Sequence, residues 1–235
     1  MSEETALVAG FADPAGVIAG TCWKFGDATG GALLAGDAVS AADAELSESD
    51  QPLRLGLSAG EARGEVTLSF DQTAEAEGIS SALGEATVEF ELGGNKRTLS
   101  CPGHWLRWAV DPRQGSDVVR HLALPYVDDG LLLLAARRPS GLPGHADEVT
   151  TAWRFGPELE AAAFSQALVS TQFDGEKRPT RVGLELWPGE EGETHATRGA
   201  GTVIGSVEAD GVTAAMMRSS AEGREGIGSY LLWRS

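Results

Sequence analysis

The chain of 235 residues has little cysteine and little lysine, and both shortages exclude classes of protein. Its two cysteines, Cys22 and Cys101, match no zinc-ligand spacing and suit a reducing compartment. A disulfide between them has no support in the sequence. The only lysines are Lys24, Lys96 and Lys177, and the formal net charge is −17. Because such a field repels phosphate backbones and anionic lipid headgroups, we expect neither nucleic acid nor a membrane as a partner. An acidic surface that only aids solubility is the simpler reading of the same charge.

Long apolar runs and catalytic signatures are missing as well. The longest uninterrupted apolar run, residues 131–136, is much shorter than the roughly 20 residues that span a bilayer. Residues 1–4 are acidic where a secretory signal is basic, so we expect a cytoplasmic protein. Serine-hydrolase elbows, phosphate loops, zincin helices and Cys-x-x-Cys pairs are all missing from the sequence. The sequence therefore predicts no cofactor.

What the sequence does contain is an internal repeat. Residues 21–26 read Thr-Cys-Trp-Lys-Phe-Gly, and residues 151–156 read Thr-Ala-Trp-Arg-Phe-Gly. A second match pairs residues 52–57 with residues 179–184, and a weaker third match pairs Trp105 with Trp233 at nearly the same spacing. Matches in one order at one spacing indicate a tandem duplication. We predict a first unit over residues 5–110 and a second unit over residues 131–235.

Both units have the alternating pattern of half-buried β-strands. Residues 87–92 are the clearest case, with Val88, Phe90 and Leu92 on one face and glutamates on the other. A Gly-Gly-Asn turn follows, and glycine-containing turns separate about seven short strands in each unit. The pattern predicts an all-β fold with little helix, in which two antiparallel barrels or sandwiches pair about a pseudo-two-fold axis.

Two segments do not follow this pattern. Residues 111–130 have no partner in the repeat, and we interpret them as a connector in which residues 117–124 form a short helix. Residues 158–169 have the composition of a helix. Their counterpart in the first unit contains a glycine pair, so the repeat favours a strand in both units, with a helix as the alternative.

The densest group of ionisable side chains lies just before the second Trp motif. Its members are Arg137, Arg138, His145, Asp147 and Glu148. In an extended segment His145 and Asp147 share a face, where the carboxylate can fix the imidazole tautomer for acid–base catalysis. Either arginine can bind a substrate carboxylate or stabilise an oxyanion. We predict His145, Asp147, Glu148 and Arg138 as catalytic residues and Arg137 as a ligand contact. A surface loop whose charges pair with each other is the alternative.

Ligand contacts are also predicted for His104, Trp108 and Trp187. His104 stands among aromatic residues where a strand begins, so it can line a pocket, although a turn before a core strand is the alternative. Trp108 and Trp187 lack clear partners in the repeat, whereas the paired tryptophans are expected to pack in two equivalent cores. His121 and His195 stand alone, and we interpret them as surface residues. No spacing requires histidines and carboxylates to converge, so no metal site is predicted.

These features lead to three hypotheses on function. A barrel lined with Trp and Phe suits an apolar or planar small molecule, bound within or between the two units. The arrangement is similar, at the level of fold alone, to tandem lipocalin-like proteins, which include some hydratases and cyclases acting on isoprenoids. The alternatives are an enzyme of the isomerase, hydratase or cyclase type that uses the same pocket, and a protein-interaction module without a pocket. Assembly as a homodimer stays open.

Overall fold

The computed structural model consists almost entirely of antiparallel strands, as the alternating pattern predicts. It describes residues 5–47, 52–144, 147–157, 159–164, 166–187 and 196–235. The first sheet contains β1 (Ala6–Ala12), β2 (Ile18–Phe25), β3 (Ala28–Ala35), β4 (Ala38–Ser47), β5 (Leu53–Ala59), β6 (Ala62–Ala76), β7 (Ile79–Leu92) and β8 (Asn95–Trp108). The second contains β9 (Ser116–Tyr126), β10 (Gly130–Pro139), β11 (Val149–Gly156), β12 (Leu159–Phe164), β13 (Gln166–Phe173), β14 (Pro179–Trp187), β15 (Thr197–Ala209), β16 (Val212–Ala221) and β17 (Arg224–Arg234).

The first sheet is a closed barrel. Each strand pairs with the next along the chain, and β1 pairs with β8 from Ala6 opposite Trp108 to Phe11 opposite Gly103. Closure removes the unpaired sheet edges that would otherwise invite association with other chains.

The second sheet has nine strands in the order β12-β11-β10-β9-β17-β16-β15-β14-β13. Only residue 165 separates β12 from β13 along the chain. Strand β11 pairs with β12, and the Thr150 hydroxyl of β11 donates a hydrogen bond to the carbonyl of Ala167 in β13 at 3.1 Å. The two ends of the sheet therefore meet at β11, and the sheet is barrel-like. Counted as one strand, β12 and β13 give it eight strands, like the first barrel.

The prediction of a helical connector is wrong. Residues 116–126 form β9, which pairs with β10 on one side and β17 on the other. The only helical turn in the described part of this segment is a 3-10 turn, Val127–Asp129. The second sheet therefore begins at Ser116 and not near residue 131. Strand β9 is buried on both faces, which removes the alternation by which strands are recognised.

The ambiguous segment 158–169 is extended where it is described. Strands β12 and β13 occupy Leu159–Phe164 and Gln166–Phe173, so the strand favoured by the repeat is correct. Its alanines have good helix propensity, but pairing with β11 and β14 outweighs that preference.

Two hairpins end in the two-residue turns that the sequence indicates. Gly93 and Gly94 have φ values of 55° and 80°, and Asp210 and Gly211 have values of 51° and 75°. Positive φ at both central positions is typical of type I′ turns, whose twist matches that of the flanking strands.

The interiors of both sheets are filled by side chains. In the first barrel, Leu33, Leu55, Leu57, Leu68 and Phe90 belong to one buried cluster. Both cysteines are free thiols in this cluster, and burial is the main cause that raises the pKa of each to about 12. A second cluster fills the other sheet, with Leu122, Leu134, Leu184, Met217 and Tyr230 among its members.

A third apolar cluster joins the two sheets. It contains Trp23 and Phe25 from the first copy of the repeated motif and Trp153 and Phe155 from the second. The expectation of two equivalent cores is therefore wrong, because all four side chains pack in one core between the sheets. The two copies of the motif also differ in their place along the chain. The first copy lies on β2, the second strand of its sheet in chain order, and the second copy lies on β11, the third strand of its sheet.

Polar contacts also fix the sheets against each other. The Gln72 side chain of β6 donates to the carbonyl of Gly156 at 2.7 Å and accepts from its N–H at 3.1 Å. Thr151 of β11 donates to a carboxylate oxygen of Glu77 at 3.1 Å. These hydrogen bonds therefore fix how the two sheets contact each other. Within the described residues, no helix has the length and apolar character needed to cross a membrane.

Candidate functional site

A narrow pocket lies between the two sheets. The first barrel contributes β1, β2 and β8 to its walls, and the second sheet contributes β9, β10, β16 and β17. The cavity itself has a volume of about 50 Å³, below the roughly 300–1,000 Å³ of sites for drug-sized ligands, so a bound molecule must also occupy the open mouth. The apolar lining includes Phe11, Ala19, Ala123, Leu131, Met216 and Ile227.

Two stacked histidines bridge the sheets at this pocket. His104 of β8 lines the pocket, and its ring lies 5.6 Å from that of His121 of β9, with 12° between the ring planes. His104 is 5% exposed and His121 is 1% exposed. In the described structure, Nε2 of His104 and both ring nitrogens of His121 have no hydrogen-bond partner. Buried polar atoms are nearly always paired, so unpaired nitrogens on both rings make the histidine pair an unusual feature of the contact between the sheets.

Strand register explains how His104 reaches this position. Along β8, His104, Leu106 and Trp108 share the face turned toward the second sheet, where the latter two join the central cluster. Gly10 lies opposite His104 on β1. A Cβ atom at Gly10 would lie 2.8 Å from Cε1 of His104, so the glycine provides the space that the imidazole occupies.

Burial keeps both rings neutral. Desolvation lowers the pKa of His104 from 6.5 to about 4. It also lowers the pKa of His121 well below 6.5, with a further contribution from the neighbouring His104. A neutral imidazole has one N–H donor and one acceptor nitrogen, so His104 can bind a hydroxyl, amine or carbonyl group of a ligand.

The mouth of the pocket is charged, in contrast to its walls. Arg224 forms an ion pair with Asp129 at 2.7 Å, and Asp13 and Glu225 also contribute to the lining. The site thus combines an apolar interior, the buried polar side chains of His104 and Ser229, and a polar rim.

The other residues predicted as ligand contacts lie elsewhere. Trp108 and Arg137 line a wider groove between the sheets, together with Glu77 and Val149. Trp108 is buried there, and its ring centroid lies 5.9 Å from that of Phe25. Trp187 is 41% exposed at the end of β14 and lines none of these pockets. Of the predicted ligand contacts, His104 alone lines the pocket described above.

Three of the predicted catalytic residues, Glu148, Asp147 and Arg138, are described, and none of them lines this pocket. Glu148 is buried and forms an ion pair with Arg120 at 2.9 Å, on the face of β9 opposite to His121. Asp147 accepts a hydrogen bond from the N–H of Gly144 at 3.1 Å, within the loop between β10 and β11. Arg138 is half-buried near the end of β10. His145 and His195 lie outside the described residues, so the pairing of His145 with Asp147 stays a prediction.

Sequence reasoning missed His121. It was expected at the surface, and this expectation is wrong because β9 lies between the interior of the second sheet and the first barrel. The signal that could have revealed it is the apolar character of residues 118–124 around it, which indicates a strand buried on both faces. Among the described residues, no three His, Cys, Asp or Glu side chains come together as metal ligands.

Comparison with known proteins identifies the fold but no family. No protein-family model matches the chain, and no curated protein matches its sequence. Among solved structures, a Nitrosomonas europaea protein provisionally designated AttH is similar, with a TM-score of 0.60 and 12% identity over 98% of this chain and 92% of that chain. CghA, solved with Sch210972, has a TM-score of 0.56 and 10% identity over 98% of this chain and 88% of its own. A separate structure of CghA matches to a similar extent, with 9% identity. The chain therefore has the duplicated, lipocalin-like β-barrel fold that these proteins share.

Proposed function

We propose that this protein binds a small, largely apolar organic molecule in the pocket between the two sheets. The observation that carries the proposal is the buried, neutral His104, which has an unpaired Nε2 and lines a pocket with a largely apolar interior. Burial against the apolar wall favours binding of a hydrocarbon or aromatic group. A hydrogen bond to the imidazole adds binding free energy for a ligand that has one polar group. The existence of a CghA structure with Sch210972 supports a binding role for this architecture.

Blocking the pocket should abolish binding. Pro102 is half-buried in the pocket lining, on β8. We expect Pro102→Trp to fill the pocket and to weaken binding of the neutral planar fluorophore aminoanthracene by at least about tenfold. Thr98→Trp is the matched control, because Thr98 is exposed on the same strand and lines none of the pockets described. Fluorescence titration measures both, and equal affinity in the two variants would contradict the proposal.

The hydrogen bond to His104 can be tested separately. His104→Phe keeps a ring but removes both nitrogens, so we expect it to weaken aminoanthracene binding by about 1 kcal/mol, or roughly fivefold. Methylanthracene lacks the amino group and should bind both proteins equally. An equal loss of affinity for both probes would show that His104 contributes only through the packing of its ring and not through a hydrogen bond. Native mass spectrometry of protein purified from its own host would identify a natural ligand.

A second candidate function is acid–base catalysis of the isomerase, hydratase or cyclase type in the same pocket. The stacked histidines favour it, because His104 lines the pocket and an imidazole in that position can exchange a proton with a bound substrate. The discriminating result is a ligand from the host that changes in mass or stereochemistry when incubated with the protein but not with His104→Phe. Pure binding predicts that the ligand is recovered unchanged from both.

A further inference from the structure

The surroundings of the pocket mouth differ in charge on its two sides. Toward β14, β15 and β16, a cleft contains Arg181 and Arg218 with Glu225 as its only lining carboxylate. On the other side, a second cleft contains Asp71, Glu85 and Asp129 and no basic residue. Pro14 borders the pocket and both clefts. In a chain of net charge −17, a side with more arginines than carboxylates is notable because it attracts anions against the general field.

The arginines lie in one cross-strand row that leads into the pocket. Arg181 of β14 is opposite Thr202 of β15, and Thr202 is opposite Arg218 of β16. Arg218 in turn is opposite Ile227 of β17, which lines the pocket. Side chains of directly opposed residues share a face of the sheet, so all four point outward on the same side. With strands about 4.8 Å apart, Thr202 lies about 10 Å from Ile227, with an arginine on each side.

The arginines are available for a ligand. In the described part of the chain Arg181 forms no ion pair, and Arg218 contacts Asp37 at 3.0 Å. The side chains of that pair are 69% and 89% exposed, so the interaction is weak and readily exchanged. Thr202, which lies between the two arginines in the strand register, adds a hydroxyl as a hydrogen-bond donor. Two arginines and a hydroxyl form a suitable set for one carboxylate.

The cleft and the pocket are parts of one continuous surface. Ile227, Gly226, Glu225 and Pro14 line both. The turn between β1 and β2 lies beside this junction, since a Cβ added at Gly16 would be 3.7 Å from Cδ1 of Ile227. A ligand whose apolar part fills the pocket can therefore extend along this row to Thr202.

We infer that the ligand is an apolar organic acid, whose carboxylate binds Arg181 and Arg218 while its apolar body occupies the pocket between the sheets. This inference rests on the proposed function and specifies the chemical class of its ligand. In the opposite cleft, Asp71 and Glu85 disfavour the same group, and this difference sets the direction in which the molecule lies.

Dodecanoate and dodecanol test this inference, because they share an alkyl chain and differ in the charge of the head group. Each is titrated against the full chain carrying aminoanthracene, and displacement of the fluorophore gives the affinity. We expect dodecanoate to bind more tightly, and Arg181→Gln and Arg218→Gln each to weaken it by about fivefold to tenfold. Dodecanol affinity should not change. Arg97→Gln is the control for charge alone, since Arg97 is exposed on β8 outside these clefts.

The outcomes separate the two proposals. Added salt should weaken dodecanoate binding to the wild-type protein and leave dodecanol binding unchanged, because ions screen exposed charges. If both arginine variants bind dodecanoate as the wild type does, or if Arg97→Gln weakens it equally, the inference is overturned while the pocket itself stands. If aminoanthracene does not bind the wild-type protein at all, the proposed function fails first. Thermal unfolding of each variant verifies that the fold is intact.

Discussion

Replacing Glu148 by Gln is expected to destabilise the protein by about 3–5 kcal/mol, because the substitution removes the negative charge that lies against a buried guanidinium. The side chains of Arg120 and Glu148 are only 3% and 4% exposed, and their charged atoms lie 2.9 Å apart. Arg120 also donates to Thr171 at 3.4 Å, and that hydroxyl lies 3.0 Å from the Tyr230 hydroxyl. Denaturant unfolding followed by tryptophan fluorescence measures the change.

The double variant Arg120→Met with Glu148→Leu distinguishes a buried charge from a general packing defect. Removing both charges should recover most of the stability lost in Glu148→Gln, since apolar replacements of a buried pair are often neutral. The exposed pair Lys96–Glu91 is the control, because its side chains are 81% and 39% exposed, and Glu91→Gln should change stability by less than about 1 kcal/mol. A Glu148→Gln effect as small as that of Glu91→Gln would show that water reaches the pair.

Acid is expected to destabilise the protein through the histidine pair, well before most carboxylates are protonated. His104 has a pKa of about 4 in the folded state and 6.5 as the ordinary value of the unfolded chain. Above pH 6.5 His104 is neutral in both the folded and the unfolded state, so its titration does not change the free energy of unfolding. As the pH falls from 6.5 toward 4, the unfolded chain binds a proton that the folded protein does not, so stability falls. His104 alone accounts for a loss of about 3 kcal/mol by pH 4, and His121 acts in the same direction.

The variant His104→Phe isolates this effect. Its free energy of unfolding should fall less steeply than that of the wild-type protein between pH 6.5 and 4.5, whereas the contribution of the aspartates is common to both proteins. NMR titration of the histidine ring protons gives an independent readout in the wild-type protein. A resonance of His104 that titrates near pH 6.5 would contradict the assignment of a dry, neutral imidazole.

The general fold could be predicted from the sequence because most strands have one face toward a barrel interior and one toward water. Strand β7 is an example: Val88 and Phe90 are buried while Glu89 is exposed. Strands at the contact between the sheets do not follow this rule, since both of their faces are buried. For this reason the sequence wrongly predicts a helix for β9 and a surface position for His121.

The site was only partly predictable for the same reason. Local sequence shows which residues are ionisable, and it drew attention to the cluster between residues 137 and 148. It does not show which face of which strand meets the other sheet. Two contacts illustrate this. Glu148 forms an ion pair with Arg120, a residue far from it in sequence, and His104 of the first sheet stacks on His121 of the second. Such contacts depend on tertiary packing, which no local pattern specifies.

The pairing of β9 with β17 fixes the order in which the protein can assemble on the ribosome. All pairings of the first barrel lie between Ala6 and Trp108, so this barrel can close before the rest of the chain is made. Strand β9 emerges next and can pair with β10, but its other edge must wait for β17, whose Ser229 pairs with Ala123. In the interval its two apolar faces are exposed to aggregation. The finished barrel offers a surface that can cover one of these faces, around Val119 and Ala123, while the rest of the second sheet is made.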